Sequence, residues 1–126
     1  MKKVVIVLII ILLIGCTKEK EENKIIEMKI KYDTLTNENV TVIIENNTEN
    51  DIEIKPNFDI EQNNNNVWIK LEKNECKNTL GYGIDKNNFM EIEINWTCEY
   101  GKLEKGNYRI IKYLDNNEYI KAEFEL

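Results

Sequence analysis

From Ile26 onward, apolar side chains return at every second position, and this spacing constrains the fold more than any other feature. Ile26, Met28, Ile30 and Tyr32 alternate with Glu27, Lys29 and Lys31. A strand sends successive side chains to opposite faces, so such a segment carries one apolar and one polar face. The same period recurs at Val40, Val42 and Ile44, and at Met90, Ile92, Ile94 and Trp96, with Glu91, Glu93 and Asn95 between them. It returns at Tyr108, Ile110 and Leu114, and again at Ile120, Ala122, Phe124 and Leu126. Isoleucine and asparagine are abundant throughout, so the spacing, not the isoleucine content, carries the reading. No long stretch shows helical periodicity.

Turn formers separate these runs: residues 37–39, 46–51, 63–66 and 115–117. With Ile52 and Ile54 (then Phe58 and Ile60 beyond Pro56) and residues 67–71, the pattern predicts about seven antiparallel strands. Strands with a single apolar face must bury it against another such face. An all-β, two-sheet sandwich is the economical solution. No internal repeat is visible.

The first sixteen residues differ in kind. Met1, Lys2 and Lys3 precede an uninterrupted apolar run, residues 4–14. As a helix that run would span about 16 Å, against roughly 30 Å of bilayer hydrocarbon, so it reads as a processed export signal. Leu13, Ile14, Gly15 and Cys16 then resemble the lipobox of bacterial lipoproteins. The resemblance implies a diacylglycerol on the Cys16 thiol and cleavage just before it. Two acyl chains suffice for stable anchoring at about 0.8 kcal/mol per buried methylene. The expected organisation is a signal peptide at 1–15, a lipidated cysteine and polar tether at 16–23, and a sandwich at 24–126. The tether could reach about 23 Å if fully extended. The location this implies is a bacterial cell membrane, on its extracytoplasmic face.

Composition narrows function mainly by exclusion. The chain of 126 residues has 17 basic and 23 acidic side chains. Two of the basic ones lie in the signal, so the remainder carries 15 − 23 = −8. Such a charge disfavours nucleic acid as a partner. Histidine is absent, which removes Ser-His-Asp and Cys-His catalysis and His-ligated zinc. Neither a metal motif nor a phosphate loop is present, no cofactor is implied, and the chain does not read as an enzyme.

Leu103, Gly106 and Tyr108, at the spacing L-x-x-G-x-Y, resemble the tyrosine corner of immunoglobulin-like sandwiches. There the tyrosine hydroxyl bonds back to upstream backbone at the crossing between sheets. Gly106 would supply a backbone conformation costly to other residues. The wider pattern is similar to a bacterial immunoglobulin-like domain family common in exported lipoproteins. It is carried by VTVIIENNTENDIEI, FDIEQNNNNVWIKLE, WTCEYGKLEKGNYRIIKYL and YIKAEFEL, which span residues 40–126. The resemblance implies a seven- or eight-stranded sandwich and brings no catalytic activity. Where antibody domains have a cysteine two positions beyond the corner tyrosine, this chain has Ile110, so their inter-sheet disulfide is absent.

The remaining even pair, Cys76 and Cys98, reads as a disulfide in an oxidising compartment, with two free thiols as the alternative. Cys98 continues the parity of Ile94 and Trp96, so it is expected at the inward end of its strand. Closing a loop of that size would contribute about 3 kcal/mol.

Two residues stand out as possible partner contacts. Val67, Ile69 and Leu71 would form one apolar face, leaving Trp68 with Lys70 and Glu72. Trp68 is then an exposed anchor, or its strand is covered on both faces, or it packs under the long loop 73–88. Tyr82, between Gly81 and Gly83, would sit at that loop's tip. The pairs Glu91/Glu93 and Glu123/Glu125 read as a solvated sheet face, not as acid–base pairs. Asp85, Lys86 and Asn87, like Asp115, Asn116 and Asn117, lack the glycine and distal glutamate of a calcium loop. The expected function is a membrane-anchored surface lipoprotein with a non-catalytic interaction domain, its partners being the membrane and an exported or surface protein. The alternative is an accessory or inhibitor lipoprotein that docks onto an exported enzyme by inserting the 73–88 loop.

Overall fold

The computed structural model describes residues 20–77 and 80–126. The signal, the lipobox and Cys16 lie outside the described residues. Among the described residues, nine strands form two sheets: β1 (Glu21–Glu22), β2 (Ile26–Lys31), β3 (Asn39–Asn46), β4 (Ile52–Asn64), β5 (Val67–Lys70), β6 (Tyr82–Ile84), β7 (Asn88–Asn95), β8 (Asn107–Leu114) and β9 (Glu118–Glu125). One helical turn, α1 (Thr97–Tyr100), follows β7, and a 3-10 turn (Tyr32–Thr34) follows β2. The larger sheet runs β1-β9-β8-β4-β5, with β6 also on β4, and the smaller runs β2-β3-β7. Among the described residues, no helix is long and apolar enough to cross a membrane.

The alternating residues meet between the sheets. Val40, Val42, Ile44, Ile92, Ile94 and Trp96 face Ile54, Ile60, Ile110, Leu114, Ile120 and Phe124, all buried. Trp96 and Tyr108 each stack on Phe124 at 5.6 Å between ring centroids. Aromatic pairs of this kind add about 0.5–1.5 kcal/mol to their burial. The two-residue β4–β5 hairpin closes on asparagine: Asn65 and Asn66 have φ of 52° and 66°, the left-handed pair that a type I′ turn requires.

The strand count differs from the sequence expectation for identifiable reasons. β1 pairs in parallel with β9 at Glu21↔Glu118 and Glu22↔Tyr119. The polar segment expected to be free through Asn23 therefore gives its last residues to the sheet. Residues 52–64 form one strand through Pro56, not two, with a register shift between Ile54 and Phe58. Proline offers no N–H to a ladder, so the shift falls there.

On β5 the expectation fails. Val67 and Ile69 are 59% and 47% exposed. Ile69 is in register with Gln62, which is in register with the buried Tyr108, so Ile69 lies on the inner side of the sheet. That side is bare because β5 is the outermost strand and the three-stranded sheet does not extend opposite it.

Candidate functional site

The corner between β7 and β8 is clamped to the β2–β3 connection. Trp96 donates from its backbone to Glu38 O (3.0 Å) and from Nε1 to Asn37 O (2.9 Å), and the Leu103 N–H reaches Asn37 O at 2.9 Å. The Tyr108 hydroxyl donates to Glu104 O at 2.8 Å, and Leu103 is buried beside it. Burial, then the Glu104 charge, pushes the Tyr108 phenol up. Gly106 is not in the left-handed region; the glycine with positive φ here is Gly101, at 69°. What Gly106 permits is close approach. A Cβ there would lie 3.1 Å from Gln62 Nε2 and 3.4 Å from the Tyr108 ring.

Cys76 and Cys98 lie at disulfide distance, their sulfurs 2.09 Å apart. Cys98 is not at an inward strand end: β7 stops at Asn95, and Cys98 is exposed on α1. The pair ties residues 71–77 to α1 along a gap in β4's outer edge, where β5 and β6 leave the backbone around Phe58 and Ile60 without a strand neighbour. The Leu71 N–H reaches Ile60 O (3.0 Å), the Ile60 N–H reaches the Tyr100 hydroxyl (3.1 Å), and Lys73 Nζ donates to Phe58 O (3.0 Å). Side chains and loop thus satisfy what a strand would have paired. Burial raises the Tyr100 pKa despite the N–H it accepts.

The outer face of the large sheet is half-covered by its own side chains. Trp68 is neither free nor under the loop: the Arg109 guanidinium lies 4.4 Å from its ring centroid, and Arg109 Nε donates to Glu61 at 2.6 Å. Next to them Asp59, buried, receives Lys73 (2.8 Å), Lys70 (3.3 Å) and the Tyr113 hydroxyl. Burial pushes the Asp59 carboxyl up, but these hydrogen bonds and charges outweigh it and hold it below its usual value. Burial, then the bond to Asp59, raises the Tyr113 phenol.

Tyr82 is not a loop tip. It opens β6, pairs with Ile54 and packs against the core, half-buried. Near it lies a residue that sequence reasoning passed over. Lys112 sits at the inward parity of β8, in register with Phe58, and is 2% exposed. Its Nζ donates to Lys55 O (2.8 Å) and Pro56 O (3.2 Å), and burial lowers its pKa from 10.5 to about 8. The signal was available: position 112 falls in the run Tyr108, Ile110, Leu114, where every other side chain is apolar.

The acidic pairs do not form a cleft. Glu91, Glu93, Glu123 and Glu125 are exposed or half-exposed strand residues, and Glu91 pairs with Lys31 at 3.3 Å. Asp85 and Asp115 lie in turns, and among the described residues no group of three or more potential ligands could hold a metal.

No curated protein matches the chain. Among solved structures it is similar to the archaellum periplasmic stator protein FlaG from Sulfolobus acidocaldarius, at 16% identity and a TM-score of 0.48, over 79% of this chain and 99% of that one. A FlaF and FlaG stator complex from the same organism gives 13% identity and a TM-score of 0.48, over 87% and 98%. The alkylpurine DNA glycosylase AlkC of Pseudomonas fluorescens, bound to DNA containing an abasic site analog, gives 11% and 0.41, over 93% of this chain and 33% of that one. A family model described as a bacterial Ig-like domain matches residues 21–125, from β1 through β9. The chain belongs to that bacterial Ig-like domain family.

Proposed function

We propose that the chain is a lipoprotein held by Cys16 on the extracytoplasmic face of a bacterial membrane, and that its Ig-like domain is a non-catalytic module for binding another protein. One observation carries the reading. The chain enters the sandwich beside the β8–β9 turn, where the Glu21 N–H bonds to Asn117 O at 3.0 Å. Only residues 17–20 separate Cys16 from β1, about 18 Å of chain at full extension. That end would face the bilayer. The β4–β5 hairpin, the β7–β8 corner and the Trp68–Arg109 pair lie toward the opposite end, where a partner has access. A half-buried aromatic braced by arginine is the kind of side-chain pair that anchors protein interfaces.

Docking by insertion of residues 73–88 has less in its favour, since that segment is held down by Cys76, Lys73 and β6. The test is photocrosslinking in intact cells from a probe at Asn63 against one at Asn116. Protein adducts from position 63, lost in a Trp68→Ala, Arg109→Ala variant, are expected. Equal adducts from both positions, or none from position 63, would refute this orientation.

A further inference from the structure

The inner face of the large sheet carries a cation that the fold does not neutralise. Lys112 has three N–H donors, and the carbonyls of Lys55 and Pro56 take two. Among the described residues no carboxylate lies within ion-pair distance of it, and no neighbouring acid offsets the lowering of its pKa by burial. An ammonium withdrawn from water without a counter-charge is costly, and such groups in proteins are normally paired.

A cleft of about 210 Å³ opens at this point, where the Pro56 irregularity and the short β6 leave the side of the sandwich incompletely closed. Pro56, Phe58, Tyr82, Ile92 and Ile94 line it together with Lys112. Lys77 and Glu93, both exposed and of opposite sign, stand at its rim and leave the mouth without a net charge.

We propose that this cleft binds a small apolar carboxylate. The tail lies against Pro56, Leu80 and Tyr82, the lining side chains that keep apolar surface accessible, and the carboxylate takes the remaining N–H of Lys112. The carboxylate supplies the missing counter-charge through a charge-assisted hydrogen bond, about twice as strong as a neutral one. The volume lies below the roughly 300 Å³ at which drug-sized sites begin, so the ligand is short. This site adds a small-molecule ligand to the domain and does not depend on the membrane anchor or the protein partner.

The probes are hexanoate, hexanol and hexylamine, which share a tail and differ in head group. Saturation-transfer NMR on the full chain in lipid nanodiscs, with empty nanodiscs as blank, reads their binding at neutral pH. Hexanoate is expected to bind at least tenfold more tightly than hexylamine, with hexanol between them. In Lys112→Met the hexanoate affinity falls to that of hexanol. Equal binding of hexanoate and hexylamine, a hexanoate signal no greater than the blank, or undiminished binding by Lys112→Met would each overturn the proposal. The head-group comparison on the unaltered chain decides the question even where the variant does not fold.

Discussion

The buried ammonium of Lys112 makes this protein more stable in mild alkali. Its pKa is about 8 in the folded chain against 10.5 ordinarily, and 2.5 pK units correspond to about 3 kcal/mol. The sign follows from proton counting. Below about pH 8 both states hold the proton and the folded state bears the full cost of the buried charge. Between about pH 8 and 10.5 the unfolded chain binds more protons than the folded one, so stability rises with pH. By about pH 9.5 the gain over pH 7 is about 2 kcal/mol. Three tyrosines oppose it. Tyr100, Tyr108 and Tyr113 all have raised pKa values when folded, so their unfolded forms ionise first, and each withdraws about 0.2 kcal/mol at that pH. The other charged groups at the cleft, Lys77 and Glu93, are exposed. The net gain is about 1.5 kcal/mol, which for a domain of this size moves a urea midpoint upward by about 1 M. Urea titration followed by tryptophan fluorescence reads it, since Trp96 is fully buried. Lys112→Met removes the titrating group and should show no rise. Equal midpoints at the two pH values in the unaltered chain, or the same rise in the variant, would refute the argument.

Three further outcomes are expected. Tyr108→Phe leaves Glu104 O without its donor and should cost about 1–2 kcal/mol, read as a lower urea midpoint with an unchanged slope. Reducing the Cys76–Cys98 pair, 22 residues apart in sequence, should cost about 3 kcal/mol; intact mass with and without reductant reports the bond, and denaturation reports the cost. Cys16→Ser should release the protein from the membrane fraction into the soluble one, and equal retention would remove the lipid anchor from the proposed function.

Much of this fold can be read from spacing because the sandwich buries one face of nearly every strand. β2, β3, β7 and β9 have their apolar parity where alternation puts it, down to Ile44 and Ile92, which stand opposite partners on the inner face. Alternation reports which side a residue points to, and nothing about whether another layer stands there. Val67 and Ile69 point inward on a strand that no second sheet covers, so the same pattern that marks core elsewhere marks exposed surface on β5. Short pieces escape for a different reason. β1 has two residues and β6 three, too few to display a period, and each forms because a neighbouring edge offers unpaired backbone. Tyr82 escapes the pattern with β6, and Cys98 with the turn α1, whose four residues interrupt the parity after Trp96.

Lys112 is the reverse case. Its parity is legible, yet a charged side chain inside an apolar run looks like a gap in the pattern. Only the carbonyls freed near Pro56, far away in sequence, make that position tolerable for an ammonium. A strand pattern therefore yields the faces of a sandwich almost completely and its openings hardly at all. The Lys112 cleft is such an opening: it sits where the ladder of β4 is interrupted.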